Sequence, residues 1–318
     1  MASSTFVTLS NGVKMPIFGL GSWQSKAGEV GDAVTVALDA GYRLIDTAAI
    51  YQNEEEIGDS LQKYFQSGKL KREDVFITTK VWCSHNRPED IEGALKDSLK
   101  KLKTDYVDLY LIHQPAAFNH EMTEQDHSVK VEDTWKGIAG VYKQGLAKAV
   151  GVSNFSEEQI ERILKSSDVP VHNSQVELHL YFQQKKHVEF CKKHNISVTA
   201  YAPMGSPGRS KFVLPNGRTQ QWPVAEEPLE NAEVLKLAEK YKKSPAQILL
   251  RHLLQNNIAI IPKSVTPKRI QENAQIFDFE LTADEIKTLN SQPQGSRFFL
   301  QDFMIGHPED PWKSERPQ

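Results

Sequence analysis

The sequence predicts an α/β protein, a (β/α)8 TIM barrel with an N-terminal β-hairpin and a long C-terminal loop. Three observations predict it. Apolar strand-like runs alternate with amphipathic helical stretches along most of the chain. The strands number eight, which is the count that closes a barrel. Nearly every strand ends on a polar residue, and the C-terminal rim is where barrels of this type carry their chemistry. No break in composition and no Gly/Ser linker interrupts the series, so residues 1–318 are expected to form one domain.

Thr5 to Leu9 and Val13 to Ile17 flank Asn11-Gly12, a pair suited to a tight turn with positive φ, and predict the hairpin. A short strand follows at Ile17 to Leu20. Val30, Ala33, Val34, Ala37 and Leu38 recur at helical spacing, and the helix stops at Gly41 before strand Tyr42 to Asp46. Strand Val75 to Val81 precedes a helix with the stripe Ile91, Ala94, Leu95, Leu99 and Leu102, then strand Val107 to Ile112. Helix 132–144 leads to strand Ala147 to Val152, and Ser156-Glu157-Glu158-Gln159 reads as a capping box. Strand Ser174 to Leu178, helix Gln183 to His194 and strand Ser197 to Tyr201 come next. Ser244-Pro245 opens a helix that ends near Gln255, strand Ile258 to Pro262 closes the series, and Thr266-Pro267 starts a final helix. A doubly wound sheet is the competitor. It is disfavoured because Gly19-Leu20-Gly21-Ser22-Trp23 lacks the third glycine and the immediate helix of a dinucleotide fingerprint.

Three connections are too long for turns: about 118–131, about 203–228 and the tail after about 290. Such segments serve as lids or binding loops. The tail carries Phe298, Phe299, Leu300, Phe303, Met304 and Trp312, and this aromatic content predicts that it docks over the site.

With 38 basic and 41 acidic residues the net charge is −3, which supplies no field for nucleic acid or an anionic membrane. Any phosphate must therefore be bound by a local cluster. The start of the chain lacks a basic region followed by an apolar stretch, and no apolar run is long enough to span a bilayer. Cys83 and Cys191 show no metal-ligand spacing. A cytoplasmic protein with reduced thiols, no metal, no nucleic-acid partner and no membrane partner is expected.

The polar strand ends are Trp23, Asp46, Lys80, His113, Ser153 with Asn154, Gln175 with Glu177, Tyr201 and Lys263. Asp46, Lys80 and His113 lie on consecutive strands, with Tyr51 on the loop after the first of them. A free tyrosine, with a pKa of about 10, is a poor acid near neutrality, and a nearby ammonium lowers that value. The expectation is that Lys80 supplies this charge, Asp46 holds the Lys, and His113 orients a carbonyl. General acid catalysis contributes roughly 10²–10⁴-fold, so a hydride-donating cofactor must do the main bond-making. The same residues also permit a purely structural Asp–Lys pair with a Tyr and a His beside it.

Three segments resemble the aldo-keto reductase family: Gly41-Tyr42-Arg43-Leu44-Ile45-Asp46-Thr47-Ala48 with Tyr51, Val107-Asp108-Leu109-Tyr110-Leu111-Ile112-His113, and Ile261-Pro262-Lys263-Ser264-Val265-Thr266-Pro267. The likeness extends over essentially the whole chain and is strongest to the aldose and aldehyde reductase branch. It implies NADPH-dependent reduction of aldehydes and ketones to alcohols, with Tyr51 as general acid and Asp46, Lys80 and His113 completing a catalytic tetrad. The implied order is NADPH first, then closure of the loop after the seventh strand, then the small-molecule carbonyl substrate.

By the same resemblance Ser153, Asn154 and Gln175 hold the nicotinamide carboxamide, Tyr201 stacks on its ring, and the Ser206 region covers the pyrophosphate. Lys263, Ser264, Val265, Thr266 and Arg269 resemble the 2′-phosphate pocket, and Glu272 and Asn273 the adenine contacts. Gly21, Ser22, Trp23, Asp46, Ala202 and Met204 complete the implied NADPH/NADP+ contacts. Trp23, Tyr51, Trp82, His113, Phe118, Phe299 and Met304 are implied as the substrate pocket of a monomer. Gln114 stands where that branch often has an aromatic residue, Leu180 where many relatives have proline, and the specific sequence of the tail from Arg297 to Trp312 is not placed by the resemblance. Some members of the family are structural or channel-associated proteins with little turnover, which is the alternative role.

Overall fold

In the computed structural model, which describes residues 5–209, 222, 226–295 and 297–316, eight parallel strands run in chain order around the molecule. They are β3 (Leu20–Gly21), β4 (Leu44–Asp46), β5 (Phe76–Val81), β6 (Leu109–Ile112), β7 (Val150–Ser153), β8 (Asn173–Glu177), β9 (Ser197–Tyr201) and β10 (Ala259–Ile260). Each pairs with the next. The seam between last and first is closed by parallel bridges Phe18↔Ile260 and Gly21↔Lys263, with Gly19 N donating to Ile260 O at 2.9 Å and Ile260 N to Ile17 O at 2.9 Å. The sheet is therefore a barrel. The hairpin β1 (Phe6–Thr8) and β2 (Lys14–Pro16) precedes it, paired antiparallel around a turn in which Gly12 takes φ +86°.

The helices between the strands are α1 (Val30–Asp39), α2 (Glu54–Gln66), α3 (Ile91–Leu102), α4 (Val131–Lys143), α5 (Glu157–Ser166), α6 (Lys185–Lys193), α7 (Ala232–Tyr241) and α8 (Pro245–Gln255), and α9 (Pro267–Ala274) and α10 (Ala283–Asn290) follow β10. The predicted stripe of α1 is the buried one, and the Ser156–Gln159 box caps α5. No described helix is long and apolar enough to cross a membrane. Both cysteines are buried free thiols.

The helices differ from the sequence reading in three places, the first being α7, which the sequence reading leaves unassigned. The helix from Thr266 is not the last, because α10 follows it behind a Thr282–Glu285 capping box. Periodicity also passed over α2, whose inner face is partly polar and includes Glu54, Gly58 and Ser60. A Cβ at Gly58 would collide with the Lys101 carbonyl, so the glycine lets α2 lie directly on α3. Buried Glu54 is satisfied by Thr79 Oγ1 at 2.5 Å and Ser98 Oγ at 3.0 Å, which ties α2 to β5 and α3.

The tail after α10 docks over the barrel mouth. Arg162 on α5 reaches Glu309 at 2.7 Å and Glu132 at 2.6 Å, and Gln125 donates to the carbonyls of Phe303 and Ile305. Arg316 gathers Asp302, Asp310 and the Leu300 carbonyl, which draws the tail into a closed loop. Most of the long connection after β9 lies outside the described residues.

Candidate active site

The C-terminal ends of β4, β5 and β6 bring Asp46, Lys80 and His113 side by side, and a 3₁₀ turn at Ala49–Tyr51 swings Tyr51 over them. Lys80 is fully buried. Its Nζ donates to Asp46 Oδ1 at 2.6 Å and to the Thr47 carbonyl at 2.8 Å. The second Asp46 oxygen accepts Gln175 Nε2 at 2.7 Å, so the carboxylate is held from β5 and β8 at once. The ammonium lies 5.1 Å from the Tyr51 ring centroid, and the Tyr51 and His113 rings meet edge to face at 5.6 Å.

Electrostatics at this floor correct one expectation. Burial pushes the Tyr51 hydroxyl well above its ordinary value, and the charges of Asp46 and Tyr201 push the same way. The predicted lowering by Lys80 does not prevail. Desolvation of the phenolate outweighs an ammonium whose charge Asp46 already compensates. Burial likewise drives Lys80 down and Asp46 up, and their mutual attraction opposes both shifts. His113 is pushed well below its ordinary value by burial and then by the charge of Lys80, so its imidazole is neutral at pH 7 and keeps one N–H to donate. The floor thus presents a protonated phenol and a neutral imidazole side by side.

Asn154 is turned over the rim by a left-handed backbone, φ +61°, a conformation Asn tolerates better than most residues. Its Nδ2 donates to the His113 carbonyl at 3.0 Å, and its Oδ1 accepts the Tyr201 hydroxyl at 2.7 Å. A cavity of about 1390 Å³ opens above these groups.

All the residues expected at the nicotinamide, pyrophosphate, 2′-phosphate and adenine positions line this one cavity, from Gly21 and Ser22 to Glu272 and Asn273. At its far end Lys263 and Arg269 make no ion pair among the described residues, and Ser264 and Thr266 stand beside them at the start of α9. Two cations without a salt-bridge partner, beside hydroxyl donors, suit a phosphomonoester. A cavity of this volume, lined by amides beside the tetrad and by the Lys263 and Arg269 cations, fits a phosphorylated dinucleotide.

On the substrate side Trp23, Tyr51, Trp82, His113 and Phe299 line the cavity, as does Gln114. Phe118 and Met304 do not. They pack with Cys83, Ala116 and Trp312 behind the wall, because the Phe118 ring turns outward onto Phe303 and His307. Phe303 takes the lining position, joined by Gln301, Asp302 and Trp222, none of which was singled out as a contact. For Phe303 the signal was the aromatic content of the tail, and Trp222 is a comparable large aromatic in the long loop after β9.

A closed barrel that gathers a phenol, an ammonium–carboxylate pair and an imidazole beneath a dinucleotide-sized cleft has the layout of a carbonyl oxidoreductase. A model of the Aldo/keto reductase family matches residues 17–292. Aldo-keto reductase family 1 member A1 of Gallus gallus is 43% identical, with 98% of each chain covered, and its Homo sapiens counterpart is 42% identical over 94% of this chain and 92% of that one. The aldose reductase of Schistosoma japonicum has a TM-score of 0.88 at 40% identity, covering 98% of this chain and 99% of the other. A Bombyx mori aldo-keto reductase solved in complex with NADP has a TM-score of 0.86 at 35% identity, covering 98% and 100%. The chain belongs to the aldo/keto reductase family and is an NADP-dependent oxidoreductase acting on carbonyl groups.

Proposed function

We propose that Tyr51 is the general acid in the reduction of an aldehyde or ketone to an alcohol, with His113 orienting the carbonyl and Lys80 and Asp46 supporting the phenol. The observation that carries this reading is the pairing, on the floor of one cavity, of a phenol kept protonated by burial with an imidazole kept neutral. NADPH, held by the residues named below, would supply hydride chemistry at the carbonyl carbon. Tyr51 gives its proton to the carbonyl oxygen, and the Lys80 ammonium beneath its ring favours the phenolate left behind. The neutral His113 imidazole donates its N–H to the same oxygen and so orients the carbonyl beside the phenol. Asp46 holds Lys80 in place through the 2.6 Å contact, and Gln175 fixes Asp46.

Ser153, Asn154 and Gln175 present amide and hydroxyl groups suited to the carboxamide, and Tyr201 a ring face for the nicotinamide. Lys263 and Arg269 select the 2′-phosphate. The test is to follow NADPH absorbance in the presence of a simple aromatic aldehyde. The wild type is expected to consume NADPH. Tyr51→Phe is expected to abolish turnover and to quench NADPH fluorescence on binding as the wild type does. Retained turnover in Tyr51→Phe would remove Tyr51 from the role of acid, and no consumption by the wild type would favour a binding protein with little turnover.

A further inference from the structure

β8 carries Asn173, Gln175 and Glu177 on one face, and the last two lie toward the rim, two residues apart as the pleat requires. Of these two, the first, Gln175, reaches into the tetrad. The second, Glu177, has no part in the chemistry above, yet it is fully buried. Its Oε1 accepts the backbone N–H of Phe298 at 2.8 Å and its Oε2 that of Phe299 at 3.0 Å. His179 Nε2 lies 3.1 Å from Oε1, and the His179 ring stacks on Phe298 with centroids 4.7 Å apart. The Arg209 guanidinium sits 4.1 Å from the Phe298 centroid. The next ring, Phe299, lines the cavity and makes edge-to-face contacts with Trp23 at 5.5 Å, Tyr201 at 5.6 Å and Trp222 at 5.2 Å. A buried carboxylate is costly unless several donors satisfy it, and here the donors are consecutive amides of the tail.

We propose that Glu177 is a positioning residue that fixes Phe299, and with it the aromatic wall over the carbonyl end of the cavity, by clamping two consecutive backbone amides of the tail. Carboxylate chemistry is required because both amides need an acceptor. A glutamine offers only one oxygen, and its NH₂ would face the second amide donor to donor. Both clamped amides belong to the tail, and the other hydrogen-bond partner of the carboxylate is His179, outside the tetrad, so the clamp governs chiefly how well a bulky carbonyl compound is held and not the 2′-phosphate end or the proton donor. The inference rests on the reading of this cavity as the site of carbonyl reduction.

The test compares the wild type, Glu177→Gln, Phe299→Ala and the double variant, using naphthaldehyde as a bulky substrate and propanal as a small one. In Glu177→Gln the KM for naphthaldehyde is expected to rise about tenfold, the equivalent of one charge-assisted hydrogen bond, while kcat and NADPH affinity stay close to those of the wild type. Propanal, too short to need the wall, should show little change. The double variant should be no worse on naphthaldehyde than Phe299→Ala, since Glu177 acts through that ring. Backbone amide exchange at Phe298 and Phe299 should quicken in Glu177→Gln. Equal losses on both aldehydes, a parallel fall in NADPH affinity, additivity in the double variant or unaltered exchange would each overturn the proposal. Should Glu177→Gln not fold, Glu177→Asp, which keeps two acceptors but retracts them by one methylene, must quicken the same two amides or the clamp is wrong. A wild type that reduces neither aldehyde would defeat the catalytic reading instead, and the exchange measurement would still judge the clamp.

Discussion

The arc of the rim formed by β4, β5 and β6 and the tail that covers the barrel mouth both bury a carboxylate, and they satisfy it in different ways. On the arc, Asp46 is met by the Lys80 ammonium and the Gln175 amide, all from strands that the barrel holds at fixed register. Over the mouth, Glu177 is met by main-chain amides of a segment that belongs to no strand or helix. The first arrangement places charge beside a buried phenol. The second turns a loose segment into a wall. Chemistry here is built on regular elements and specificity on loops tied down one contact at a time.

Removing the ammonium should break the arc most severely. Lys80→Met leaves Asp46 buried without its counter-charge, and the expected cost is about 3–5 kcal/mol of stability together with a loss in kcat/KM of about 10²-fold or more. Adding Asp46→Asn should recover part of the stability and none of the turnover. Urea denaturation and steady-state kinetics read the two effects, and an Lys80→Met enzyme of wild-type stability would mean the pair is not a buried ion pair.

Acid titration sharpens the contrast between rim and scaffold. His252 on α8 is pushed from 6.5 down to about 4 by burial, with its Nε2 2.7 Å from Asn290 Oδ1. Between those values the unfolded chain binds a proton that the folded chain refuses. Stability is therefore fully present above pH 6.5 and declines as pH falls through the window, by about 3 kcal/mol from this group. His252→Gln should flatten that part of the stability curve and leave kcat at pH 7 unchanged, whereas His113→Gln should reduce kcat. A stability curve for His252→Gln parallel to that of the wild type would refute the assignment.

At the nucleotide end, Lys263→Met or Arg269→Met should weaken NADPH about 10- to 100-fold, the scale of a charge-assisted hydrogen bond, with little change for NADH. Equal weakening of both cofactors would remove the 2′-phosphate from these side chains.

The smallest effect concerns neighbours in the tail. Phe303→Leu, on the cavity wall, should raise the KM for aromatic aldehydes a few-fold. Met304→Leu, behind it, should leave KM unchanged and cost less than about 1.5 kcal/mol, as volume-conserving core swaps do. Reversed effects would put Met304 back in the pocket.

The strand–helix alternation was legible because parallel strands read as apolar runs with abrupt ends, and the polar tips of those runs pointed to Asp46, Lys80 and His113. Three helices escaped. The inner face of α2 is interrupted by Glu54, Gly58 and Ser60, α10 buries little besides Leu289, and α7 follows a loop long enough to conceal it. The direction of the Tyr51 shift was also hidden, since a sequence shows which charges can approach a phenol but not how much water the fold takes away from it. Phe118 and Met304 were misplaced for a related reason. An aromatic or sulfur-bearing residue in a loop has no period to say which way it faces.

The barrel seam has a consequence for how the molecule comes to life on the ribosome. Gly21 pairs with Lys263, so the cavity has one edge from the start of the chain and the other from the segment just after β10, near its end. A nascent polypeptide can pair β3 through β9 as they emerge, but it gains no complete cavity until the segment around Lys263 has cleared the exit tunnel. A ligand that spans both edges is therefore expected to stabilise the finished protein more than its translation intermediates.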